Sequence, residues 1–297
     1  MAGIIERYLE RRTQRKARAR LRASLKDMLA MKACDLLQPH PEEILPSAQL
    51  RVAFKRMAEG KLESILVMQG KEPQGILLES AFITPQILTA TFMSQPVSSK
   101  LTQLAPPLPP GATLADAFTH MVTHKTIHIL VQCKDAPLGI LSSSKIAKHL
   151  DTYYSIVTEE VDVLPKVKRF DLVQPEWVSI TEPLEHVIPL IASSASGSVI
   201  CHDTSDPGNP RGIITPRDII QETYRYGSDL RTLKAVNIMK HPVVGIEAQK
   251  DLFEANRLLF QRGFRRLAVT ESNVVLGIIT PYHLFSFLHK TAQEAKD

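Results

Sequence analysis

Seven consecutive residues, Gly212-Ile213-Ile214-Thr215-Pro216-Arg217-Asp218, put a hydroxyl, a guanidinium and a carboxylate within four positions of one another. An ionised carboxylate only accepts hydrogen bonds, and an arginine fork matches phosphate oxygens in pairs. The same stretch also reads as a helix start, with Thr215 at the N-cap, Pro216 at the first helical position and Asp218 at the third. Arg265 and Arg266 form a second cationic pair, and Thr280-Pro281-Tyr282-His283 repeats the hydroxyl-proline start with His283 where the acid would stand.

Other constellations carry less. His120, His124 and His128 are spaced four apart, as metal ligands on one helical face could be. A strand beginning at Ile127 would end that helix, and no carboxylate lies among them, so no metal site is expected. Ser142-Ser143-Ser144 is a helix start without the G-x-S-x-G setting of a nucleophile. There is no phosphate-binding loop of the G-x-x-x-x-G-K-[ST] type and no G-x-G-x-x-G. No catalytic residue is assigned, and the chain is read as a non-enzyme.

The elements that would position these residues recur. Residues 234–290 read as strand, helix, strand, strand, helix. Leu252, Ala255, Leu258 and Leu259 form a helical stripe, and short apolar strands flank the turn Glu271-Ser272-Asn273. Residues 169–222 repeat the order with a helix from Leu184, a strand S-V-I-C-H and R-G-I-I-T-P-R-D. Residues 92–150 give a helix from Leu114, I-H-I-L-V-Q and P-L-G-I-L-S-S-S-K. Residues 33–90 give a helix from Leu50, S-I-L-V-M-Q and Q-G-I-L-L. Each repeat is a β-α-β-β-α unit, too small to cover its own sheet, so the repeats should pair.

The M-x-x-P-V lead, the R-R-L-x-V strand and the G-I-I-T-P-x-D element resemble the cystathionine-β-synthase (CBS) domain family. The resemblance implies an α/β (α+β) fold: four β-α-β-β-α CBS repeats in two pseudo-twofold pairs behind a basic N-terminal helix. The expected divisions are an arm at 1–32, a first pair at 33–150, a linker at 151–168, a second pair at 169–290 and a tail at 291–297. In that family the cleft between paired sheets often takes an adenosine-containing ligand, the hydroxyl and acid holding the ribose. Carried over by position, the element is complete only in the third repeat. Thr215, Arg217, Asp218, Arg265, Arg266 and Thr280 are therefore the expected nucleotide-binding residues, with helix capping as the competing role for Thr215 and Asp218. The first repeat offers Leu78 and Ala81, or Thr84 and Ile87, and the second offers Ser142 and Lys145.

Composition bounds the rest. The chain has 297 residues, 44% hydrophobic and 23% charged, with a net charge of +5. Residues 1–32 hold ten basic and three acidic side chains, a surplus of seven, so the remainder is slightly acidic. This segment lacks proline and glycine from residue 4 onward and reads as a helix. Its apolar side chains cluster at the two ends (Ile4, Ile5, Tyr8 and Leu9; Leu21, Leu25, Met28 and Leu29). That breaks the continuous apolar face of a membrane-surface helix. Arg11, Arg12, Arg15, Lys16, Arg18, Arg20 and Arg22 are the expected contacts to RNA or a ribosome; the competing role is packing of the late apolar patch on the body. Cys34, Cys133 and Cys201 are far apart and predict neither a disulfide framework nor zinc. With no membrane-length apolar run and no secretory leader, a cytoplasmic location is expected.

The leading expectation is a regulatory protein whose C-terminal pair senses an adenine nucleotide, with no required cofactor. The alternatives are an RNA- or ribosome-bound factor with the repeats as scaffold, and a subunit of a kinase or metabolic complex. A homodimer or protein complex fits any of the three.

Overall fold

The apolar stripes and alternating runs become helices and strands where the spacing places them. The computed structural model describes residues 16, 19, 23–37, 42–134, 138–158 and 164–294. A helix over 23–30 (α1) precedes the first repeat, which comprises β1 (Glu43–Ile44), α2 (Leu50–Gly60), β2 (Ser64–Gln69), β3 (Glu72–Leu78) and a short α3 (Ala90–Met93). The second holds α4 (Leu114–Thr123), β4 (His128–Val131), β5 (Gly139–Ser142) and α5 (Ser143–Thr158). The third holds β6 (Glu176–Ser179), α6 (Leu184–Ser193), β7 (Val199–Asp203), β8 (Asp206–Ile214) and α7 (Pro216–Tyr226). The fourth opens with α8 (Ala235–Ile238) and continues through β9 (Gly245–Glu247), α9 (Leu252–Arg262), β10 (Leu267–Glu271), β11 (Val274–Ile279) and α10 (Pro281–Glu294).

Three repeats build a three-stranded sheet with one parallel and one antiparallel neighbour; in the second, Leu108 bridges Val131 in place of a full first strand. Sheets pack within pairs. Leu66 and Ile76 meet Leu130 and Ile140, and Ile200 meets Ala268 and Ile278. The segment leading into one repeat crosses the last strand of its partner: Ile213 exchanges backbone bonds with Lys240, Val173 with Ile278, and Ile76 with Thr102. Glycine is needed where these crossings are closest. Gly75 has φ +156°, and a Cβ there would lie 2.9 Å from the Thr102 carbonyl; Gly277, with φ +159°, would meet Leu172 at 2.6 Å.

Helices join the pairs. Phe118 of α4 packs on Phe285 of α10 at 5.3 Å between centroids, and Phe54 of α2 lies 6.4 Å from Tyr224 of α7. Repeat one thus faces repeat three, and repeat two faces repeat four.

Several expectations change. The first repeat has no single closing helix: after β3 the chain makes two 3₁₀ turns, Glu79–Phe82 and Pro85–Leu88, and then α3, with Pro85 interrupting the run. Helix α5 continues to Thr158, through residues assigned to the linker. Residues 203–210 supply the turn between β7 and β8 and the first half of β8. Cys34 and Cys133 form a disulfide with Cα atoms 5.8 Å apart, correcting the expectation that spacing excludes one; folding brings together residues 99 apart in sequence. Helix α1 buries Leu25, Met28 and Leu29 in the core shared by repeats two and four, so the late apolar patch of the arm packs on the body.

Candidate functional site

Strand β8 ends at Ile214, Thr215 is the N-cap, and α7 begins at Pro216. The Thr215 backbone N–H and side-chain hydroxyl both donate to Oδ2 of Asp218, at 2.8 and 2.7 Å. The capping role is therefore realised and consumes one carboxylate oxygen. The other, Oδ1, has the Lys240 ammonium 3.9 Å away. Asp218 is 5% exposed. Burial pushes its carboxyl above the usual aspartate range, against the pull of the Thr215 bonds, Lys240 and Arg217.

Beside Asp218 lies a cleft of 340 Å³ between repeats three and four, with Lys61 of repeat one at its edge. That volume is within the range of small-molecule sites. Its lining includes the apolar residues Ile213, Pro242, Val244 and Phe264 and the cations Arg217, Lys240, Arg262, Arg265 and Arg266. Five of the six expected nucleotide residues line it. Thr280 does not; it sits at the start of α10 with its hydroxyl 3.1 Å from His283 Nδ1. Lys240 and Phe264 were missed by sequence reasoning, although Lys240 stands in the M-K-H-P-V-V lead of the fourth repeat and could have been noticed there.

Arg266 is held from behind. Its Nε donates to the Ser196 carbonyl, and Gly197, with φ +60°, leaves the space its guanidinium fills: a Cβ there would lie 2.6 Å from Nη2. Ser194, Ser196 and Ser198 link their hydroxyls at 2.9 Å around this turn. Burial, with the Arg265 charge adjacent, brings the Arg266 guanidinium down to about 10.

Arg217 and Arg265 face two carboxylates of repeat one. Arg265 Nη2 bonds Glu79 Oε2, and its Nε lies 3.9 Å from Glu63 Oε1. Arg217 Nε is 3.5 Å from Glu79 Oε1, and its Nη2 is 3.9 Å from Glu63 Oε1. Burial opposes the Arg265 charge, but Glu79 and Glu63 more than compensate and raise its pKa. Burial likewise opposes ionisation of Glu63, yet His128, Arg265 and Arg217 hold its carboxyl at about 2. The cluster separates the C-terminal cleft from a 530 Å³ cleft in the N-terminal pair, lined by Glu63, Glu79 and His128 and sharing Arg265 and Arg266. His128, matched by register to Arg266, is buried with Nε2 3.8 Å from Glu63.

Helix α10 starts without an acid at its third position, and His283 takes that place: the Thr280 N–H donates to Nδ1 at 3.0 Å, and Nε2 lies 3.1 Å from the Asp171 carbonyl. His120 Nε2 lies 2.9 Å from the Pro106 carbonyl, and no group of metal-ligating side chains is found among the described residues. Arg11, Arg12, Arg15, Arg18, Arg20 and Arg22 lie outside the described residues; Lys16 is helical and exposed. No helix among the described residues is long and apolar enough to cross a membrane.

With this geometry in place, known proteins give a consistent picture. The family model for the CBS domain matches residues 234–290. An uncharacterized protein of Methanopyrus kandleri, MK0525, is 31% identical over 103 residues, covering 34% of this chain and 52% of that protein. The match thus spans about half the length of the curated relative. Protein MJ1225 from Methanocaldococcus jannaschii, described as a candidate archaeal homolog of g-AMPK, superposes with a TM-score of 0.72 at 15% identity, over 86% of this chain and 99% of that one. An uncharacterized conserved protein from Pyrococcus horikoshii superposes with a TM-score of 0.58 at 18% identity, over 87% and 100% of the two chains.

Proposed function

We propose that this chain, whose residues 234–290 match the CBS domain model, is a regulatory, non-catalytic protein whose C-terminal pair binds an adenine nucleotide in the cleft beside Asp218. The observation that carries this reading is a cleft whose lining combines apolar side chains, several cations and a buried carboxylate, Asp218. Ile213, Pro242, Val244 and Phe264 suit the face of a base. The spare Oδ1 of Asp218 suits ribose hydroxyls, which need an acceptor. Lys240, Arg217, Arg265 and Arg266 suit phosphate. The choice of adenine rests on the resemblance of the G-I-I-T-P-R-D element to the family pattern.

Isothermal titration of AMP, ADP, ATP and S-adenosylmethionine into the full chain tests the reading. Saturable binding by at least one, weakened in Asp218→Ala, is expected. Binding by none, or equal binding by the variant, would remove it.

A polyanion contact through the arm is a second reading, favoured by the charge surplus of residues 1–32. Because Leu25, Met28 and Leu29 are core residues, deletion of residues 1–22 is the suitable variant. RNA co-sedimentation that falls steeply with salt and disappears on this deletion is expected. Retained co-sedimentation would discard the reading.

A further inference from the structure

The arginines best placed to take a ligand phosphate already hold carboxylates. Arg217 and Arg265 line the C-terminal cleft, yet both turn to Glu63 and Glu79 across the boundary between the pairs. Glu79 belongs to neither motif that marks the site. It follows the last strand of repeat one, 4% exposed, and touches both arginines. Glu63 stands at the strand start where repeat four has Arg265, so matched positions of two repeats carry opposite charges and meet. The two acids also line the cleft of the N-terminal pair.

We propose that Glu79, assisted by Glu63, is a built-in competitor for the anionic end of the ligand, so that the C-terminal cleft fills only when phosphate displaces these carboxylates from Arg217 and Arg265. The inference rests on the nucleotide reading of that cleft and adds its regulation. The physical basis is that both acceptors use the same guanidinium N–H groups, and a carboxylate held in place is favoured over one that must be captured from solution. The apparent affinity is then the intrinsic affinity reduced by the fraction of molecules in which the arginines are free. Displacement also releases Glu63 and Glu79 from the two arginines at the edge of the N-terminal cleft, which links the clefts through one cluster.

The test is isothermal titration of ATP, AMP and inorganic tripolyphosphate into the full-length wild type, Glu79→Gln and Glu63→Gln, with circular dichroism as the check on folding. Glutamine keeps the shape and removes the charge. Glu79→Gln is expected to bind the phosphate-bearing probes roughly tenfold or more tightly than wild type, and Glu63→Gln is expected to show a smaller gain in the same direction. Glu63→Gln decides the matter if Glu79→Gln does not fold. If wild type binds a nucleotide and the folded variants bind no more tightly, the competition is overturned while the nucleotide reading stands. If no nucleotide binds but tripolyphosphate binds the variants more tightly, the competition stands and the nucleotide reading falls. If no probe binds any of the proteins, both fall.

Discussion

Helices α7 and α10 begin alike, each with a threonine and a proline, and differ at the third helical position. Asp218 and His283 do the same work for the backbone, accepting the N–H of Thr215 and of Thr280. They differ in what is left over. The carboxylate keeps a second oxygen toward the cleft, with Lys240 nearby. The imidazole turns its other nitrogen to the Asp171 carbonyl. Helix capping is thus common to both repeats, and the surplus acceptor belongs to repeat three alone. The strand starts show a related contrast: repeat four brings Arg265 where repeat one brings Glu63, and the two meet between the pairs.

The largest effect should come from erasing the first difference. Asp218→His gives repeat three the cap of repeat four, and calorimetry should show nucleotide affinity falling on the order of a hundredfold, as expected for loss of a charge-assisted acceptor at buried hydroxyls. His283→Gln should leave that affinity within a factor of two or so.

The strand starts set the next effect. Glu63 is held at about 2 against an ordinary 4.5. Its contribution is fully present above the unfolded value and is lost as pH falls from 4.5 toward 2, so acid denaturation should steepen there. Up to about 3 kcal/mol is at stake, less screening of a site still open to solvent. Glu63→Gln should flatten this limb of a pH–stability curve; an unchanged limb would mean that other acids control it.

Removing either cap hydroxyl should cost about 1 kcal/mol of unfolding free energy, in Thr215→Ala as in Thr280→Ala. Chemical denaturation compares the two, and a large inequality would break the parallel between the helix starts.

The smallest effect concerns Asp218 in the free protein. Its pKa is raised, so ionisation opposes folding increasingly as pH climbs from the unfolded value through the folded one. Melting temperature above that window should rise slightly in Asp218→Asn, whereas nucleotide affinity in the wild type should weaken as pH drops through it.

Local patterns were legible where local physics decides them. The stripe Leu252, Ala255, Leu258 and Leu259 becomes α9, and Thr215-Pro216 starts α7, because helical periodicity and caps act within a few residues. The mixed α/β architecture and its repeats followed from the recurrence of those patterns. What remained hidden depends on distant chain segments. Glu79 reaches Arg265 across 186 positions, and the Cys34–Cys133 bridge closes over 99. The meeting of Arg217 and Arg265 with acids rather than open solvent could not be read from either repeat alone. The matched positions of Glu63 and Arg265, opposite in charge, were the one local hint. Met28 and Leu29 were visible as an apolar patch, but the core receiving them is assembled by repeats two and four together.

The most direct measurement is calorimetric titration of AMP, ADP and ATP into the wild type and Asp218→Asn, side by side at neutral pH. Asparagine can still accept the Thr215 bonds through its carbonyl oxygen, so the helix start survives while the ionised oxygen beside the cleft is lost. The account predicts saturable binding by the wild type and affinity weaker by roughly a hundredfold in the variant, with unchanged circular dichroism. Equal binding by the two proteins would contradict it and leave Asp218 as a helix cap and nothing more.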